Sequence, residues 1–123
     1  RILIVDDDVQ IREMLQQKLH RSGYETVEAT DGNVAIKLHS AQPADLIIMD
    51  LVMPEKEGIE TIMELRRNFP DVKIIAISGG SRHLEPGNFL HLAKKLGAQH
   101  VLKKPFKLKD MLEVINQMLK NGE

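Results

Sequence analysis

The sequence predicts an α/β fold: a doubly wound parallel sheet with helices on both faces, in a single domain spanning residues 1–123. Three observations lead there. Short β-rich runs alternate strictly with stretches of helical periodicity, through five strand–helix units. Where they are strongest, the runs are apolar throughout, as in strands covered on both faces. The chain has 123 residues, 42% of them hydrophobic, which suits one compact core.

The elements follow in order. "ILIV" (Ile2 to Val5) is a fully buried strand by composition. Val9, Ile11, Met14, Leu15 and Leu19 then fall at helical spacing, and Gly23 closes that helix. "ETVEA" (Glu25 to Ala29) is a weaker strand, expected at an edge. Asp31 is placed to cap a helix carrying Val34, Ala35 and Leu38. "DLIIMD" (Asp45 to Asp50) is the third strand. Ile59, Ile62, Met63 and Phe69 mark a third helix, stopped by Pro70. "KIIAIS" (Lys73 to Ser78) is the fourth strand, and Phe89, Leu92, Ala93 and Leu96 mark a fourth helix before Gly97. "HVLK" (His100 to Lys103) is the fifth strand. Leu108, Met111, Leu112, Ile115, Met118 and Leu119 make the clearest amphipathic helix. No linker, repeat or low-complexity tract interrupts the series.

Composition narrows the function. With 17 basic against 18 acidic residues, no global field points to nucleic acid or a membrane surface. The absence of cysteine excludes disulfides and thiolate metal sites. No apolar run is long enough to span a bilayer and no signal peptide opens the chain, so a cytoplasmic setting is expected. A chain that opens at Arg1 and enters a strand at once is expected to be one domain of a longer protein, or an ordered portion of one.

In an open parallel sheet, ligands bind outside the carboxyl ends of the strands. Asp6, Asp7 and Asp8 stand at the end of the first strand, Asp50 at the third, Ser78 at the fourth, and Lys103 and Lys104 at the fifth. Any one of these is ordinary capping or surface chemistry. The five histidines show no metal-ligand spacing and read as structural or surface residues. The combination is different. A lone carboxylate in "IIMDLVMP" is costly to bury unless its charge is compensated. Clustered carboxylates repel unless a cation joins them, and magnesium takes such oxygen ligands while keeping positions open for phosphoryl oxygens. A hydroxyl and an ammonium nearby suit a phosphoryl group, and Asp50 could act as a nucleophile that forms an aspartyl phosphate.

With "ILIVDDD", "IIMDLVMP", "IIAIS" and "VLKKPF" in this order, the whole chain resembles the receiver domains of two-component response regulators. The resemblance implies a flavodoxin-like (βα)5 fold with strand order 2-1-3-4-5. It implies phosphorelay signalling: a Mg2+-dependent transfer of phosphate from a sensor histidine kinase or histidine phosphotransfer protein. It assigns Asp50 as phosphoacceptor and Asp7 as a direct Mg2+ ligand. Asp6 then acts largely through water, and the Val52 backbone carbonyl is a further ligand. Ser78 becomes the switch hydroxyl and Lys104 the partner of a phosphoryl oxygen. Lys103 should point away by strand alternation, and the Lys104–Pro105 bond should be cis. Such a domain is a signalling module rather than a turnover enzyme.

Two departures stand out. Where the family has an aromatic switch residue, this chain has Val101, so any output change is expected to use another element. The segment from Ser78 to Phe89 is longer than a usual βα connection, and a tolerated surface insertion explains it as well as a partner surface does. Val52 and Gly80 stand where polar side chains can orient an attacking water, so self-dephosphorylation is expected to be slow.

Rival readings fit the residues less well. Asp6 and Asp8 have the spacing of a haloacid-dehalogenase-like phosphatase, but that class wants a further acidic pair and gives Asp50 no role. A pseudo-receiver binding module gives no reason for the full set Asp6, Asp7, Asp50, Ser78 and Lys104. A phosphodonor is expected to dock near Ile11 and Leu15. Lys94, Lys95, Lys107 and Lys109 read as a solvated basic face. With no DNA-binding motif in the chain, direct nucleic-acid contact is not expected, and output runs through a downstream protein or domain.

Overall fold

The computed structural model describes residues 1–51, 58–78, 91, 94–95 and 97–120. In chain order it holds β1 (Ile2–Val5), α1 (Val9–Arg21), β2 (Thr26–Ala29), α2 (Gly32–Ala41), β3 (Leu46–Asp50), α3 (Gly58–Asn68), β4 (Ile74–Ser78), β5 (His100–Lys103) and α4 (Leu108–Lys120). The apolar positions Phe89, Leu92, Ala93 and Leu96 of the expected fourth helix lie outside the described residues, although His91, Lys94 and Lys95 are helical. Val52, Gly80 and the Ser78–Phe89 connection beyond Ser78 also lie outside them.

The five strands form one parallel sheet in the order β2-β1-β3-β4-β5. Each crossover needs a helix to return the chain, and a right-handed return fixes the face that helix covers. Strand alternation then builds two cores. Leu3, Val5, Ile47, Met49, Ile74 and Ala76 pack with Ala35, Ile62 and Leu65 of α2 and α3. Ile2, Ile4, Leu46, Ile48, Ile75 and Ile77 pack with Leu15 and Leu19 of α1 and Met111, Ile115 and Met118 of α4. This is why the central strands read as unbroken apolar runs: neighbouring residues serve opposite cores. Each fully buried Leu or Ile contributes about 2 kcal/mol. β2 and β5 lie at the edges and are largely half-exposed, as their mixed composition requires.

The expected strand starts run slightly long. Glu25, Asp45 and Lys73 fall just outside β2, β3 and β4, but their backbones still pair: Ile2 N donates to Glu25 O and Ile47 N to Lys73 O. Asp31 caps α2 as expected, accepting from Val34 N at 3.0 Å. Gly23 turns the chain out of α1 with φ 93°, where a side chain would be strained. The Lys104–Pro105 bond is cis. Among the described residues, no helix is long and apolar enough to cross a membrane.

Candidate functional site

The chain leaves β1 toward β2 on one side, and enters β3 on the other. The loops after β1 and β3 therefore diverge and open a crevice at the carboxyl edge of the sheet. Asp6 is the first residue beyond β1 and Asp50 the last of β3. Both are almost fully buried, at 0% and 3% exposure. Asp7 beside them is exposed. One carboxylate oxygen from each of the three lies within 4.8 Å of the others.

Buried carboxylates need partners, and these have them. Asp6 Oδ1 accepts from the Asp8 backbone N at 2.9 Å, and Asp6 Oδ2 from Lys104 Nζ at 3.0 Å. The same ammonium stands 3.6 Å from Asp50 Oδ1. Pairing at the end of β4 and β5 carries Lys104 there: Ser78 lies opposite Lys103, and Lys104 N donates to Ser78 O at 2.8 Å. Burial pulls the Lys104 pKa down, but the charge of Asp50 and the hydrogen bond and charge of Asp6 outweigh it and hold the value above that of a free lysine. Lys104 is thus a fixed cation at neutral pH. Three carboxylates against one ammonium leave the crevice with an excess of negative charge.

Ser78 is fully buried at the end of β4, one residue beyond the partner of Asp50 in the ladder. Lys103 is exposed, pointing away as alternation required. Val101 pairs with Ala76 and packs, half-buried, against the core under α2 and α3, so the position is filled by an aliphatic packing residue. The Asp8 carboxylate caps α1, accepting from Gln10 N at 2.9 Å. One expectation needs correction. Leu15 is fully buried in the core under α1, so it offers nothing to a docking partner. The helical turn that reaches the surface there carries Ile11 and the exposed Met14, which with Lys104, Pro105 and Phe106 line a depression of about 420 Å³.

Two residues at the site were not foreseen. Arg12 donates to the Asp6 carbonyl, and Gly58 packs its backbone against Asp50 and Leu51. A lone arginine in an amphipathic helix and a lone glycine before another carry no signal of this kind by themselves.

A profile for the response regulator receiver domain matches residues 2–116. The chain belongs to that family. Receiver domains of two-component response regulators are signalling domains, consistent with phosphorelay. This receiver domain is 35% identical over 121 residues to chemotaxis protein CheY of Thermotoga maritima, covering 98% of each. It is 31% identical over 123 residues to the alkaline phosphatase synthesis transcriptional regulatory protein PhoP of Bacillus subtilis, of which it spans 50%. Its fold overlays the response regulator TrrA of Thermotoga maritima, a structure in complex with Mg2+ and BeF, with a TM-score of 0.83 at 32% identity over 96% of this chain and 97% of that one. Membership displaces the phosphatase alternative, whose Asp6 and Asp8 are here an ion-paired core residue and a helix cap.

Proposed function

We propose that residues 1–123 act as one phosphoacceptor domain in which Asp50 takes a phosphoryl group from a phosphohistidine of a kinase or phosphotransfer protein, in the cytoplasm. The observation that carries this reading is the convergence of Asp6, Asp7 and Asp50 within 4.8 Å, two of them paired to one ammonium. An Asp50 oxygen forms the new P–O bond as the P–N bond of the donor breaks, and the imidazole departs with the bonding pair.

The donor set fits Mg2+: hard carboxylate oxygens with excess negative charge, one of them solvent-facing. Asp6, Asp7 and Asp50 would hold it, with Val52 assigned by resemblance alone. When bound, the ion supplies charge neutralisation and open positions for phosphoryl oxygens. The chain's own groups do the rest. Lys104, kept protonated, exchanges its contact with Asp50 for a phosphoryl oxygen. The Ser78 hydroxyl hydrogen-bonds another. The donor docks over Ile11, Met14 and Phe106, beside Lys104. Output passes to a downstream protein or attached domain, without direct nucleic-acid or membrane contact.

Acetyl phosphate with magnesium should add one phosphoryl group by intact mass. Asp50→Asn and EDTA should each abolish it, and the label should decay slowly. Retained labelling in Asp50→Asn would move the nucleophile elsewhere. No labelling, together with no BeF₃⁻ binding, would leave a pseudo-receiver.

A further inference from the structure

Asp6 and Asp7 lie just beyond β1, where the ladder that fixes the backbone runs out. The last tie to the sheet is the Asp6 N–H, which donates to Ala29 O at 3.2 Å. Among the described residues, no strand N–H donates to the Asp6 carbonyl. Its partner comes from the first turn of α1: Arg12 Nη1 donates to it at 2.7 Å. The same guanidinium donates through Nε to Glu28 Oε1 of β2 at 3.2 Å. Arg12 is only 13% exposed, against 38% for Glu28. A planar fork held at two points cannot swing as a lysine can.

The Asp6 carbonyl and the Asp7 N–H belong to one rigid peptide unit. Fixing that carbonyl fixes the plane from which Asp7 departs. Asp7, exposed, relies on its backbone for placement. We propose that Arg12 is a positioning residue for the site: it locks the Asp6–Asp7 peptide between α1 and β2, and so sets both carboxylates toward Asp50. This rests on the reading of Asp6, Asp7 and Asp50 as the magnesium ligands. Position and charge make opposite demands here. As a cation held against the Asp6 carbonyl, Arg12 opposes a second cation at the site, so a purely electrostatic role means that removing it tightens magnesium binding. A positioning role means that removing it weakens binding.

The test is calorimetric titration of Mg2+ into wild type, Arg12→Met and Arg12→Lys, with melting curves in EDTA as a check on folding. Arg12→Met should weaken binding about tenfold, the effect of losing a group that orients a ligand. Arg12→Lys keeps the charge but cannot hold the carbonyl and Glu28 together, and should fall between, about threefold weaker. If Arg12→Met does not fold, Arg12→Lys decides. Affinity in these variants equal to or tighter than wild type overturns the positioning role, even if their melting temperature falls, because that is what a merely structural arginine would give. A folded wild type that binds no Mg2+ overturns the metal reading, and this inference with it.

Discussion

Asp50 and His39 are both buried polar residues, yet the two are stabilised in opposite ways. Asp50 has a cation beside it, the Lys104 ammonium at 3.6 Å. His39 keeps its place by staying neutral. Its Nδ1 accepts from Ala44 N at 3.0 Å, and its ring meets Phe69 edge-on at 4.5 Å. An imidazolium has no acceptor to offer Ala44, so protonation breaks that bond. Burial first, and then the charge of Arg1, hold the His39 pKa below its ordinary value. The unfolded chain therefore binds the proton more readily, and stability rises with pH. The contribution is complete above about pH 6.5, the ordinary histidine value, and is lost as pH falls through the lower folded value. Urea unfolding from pH 7.5 down to pH 5 should show wild type losing stability more steeply than His39→Gln, which retains an acceptor and cannot titrate. Parallel curves would mean that the imidazole is protonated in the fold without cost.

At the scale of elements, what the sequence made legible follows from how each residue does its work. Asp6, Asp7, Asp50, Ser78 and Lys104 could be read because parallel strands bring their carboxyl ends together whatever the details, so a strand-end residue announces its place. Arg12 and Gly58 could not, because each acts through the distance between two backbones, which periodicity does not record. Leu15 was misjudged for a related reason: helical spacing gives the apolar stripe but not which edge of it sinks into the core. Gly58 offers a sharp test. It opens α3 against the end of β3, donating to Leu51 O at 3.0 Å. A β-carbon there would lie 2.6 Å from Leu51 Cα and press on the Asp50 carbonyl, both backbone atoms. In a free helix, alanine would gain about 1 kcal/mol over glycine. Here Gly58→Ala should instead cost about 2 kcal/mol, as overpacking does. It should also slow Asp50 phosphorylation, because α3 or the end of β3 must shift. Denaturant unfolding reads the first effect and labelling kinetics the second. A stabilised, fully active variant would show that the helix can back away freely.

For the whole molecule, the acidic crevice couples local chemistry to global stability. Asp6, Asp50 and Lys104 come from the ends of β1, β3 and β5, which meet only when the sheet is formed. The folded state therefore concentrates negative charge that the unfolded chain disperses, and it alone brings within 4.8 Å the three carboxylates that the proposed function assigns to a divalent cation. Two consequences must appear together. Magnesium should raise the urea midpoint, adding about 1.4 kcal/mol of stability at ten times its dissociation constant, and sodium chloride of equal ionic strength should not. In EDTA, Asp7→Asn should be more stable than wild type, because it relieves repulsion without removing a buried partner: Asp7 is the exposed member of the three, and Lys104 still pairs with Asp6 and Asp50. The same variant should lose most of the magnesium-dependent gain. The pairing of signs is what tests the idea. A surface carboxylate of no special role would change neither quantity, and one needed only for folding would lower stability in EDTA. A magnesium gain that persists undiminished in Asp7→Asn would place the ion away from this crevice.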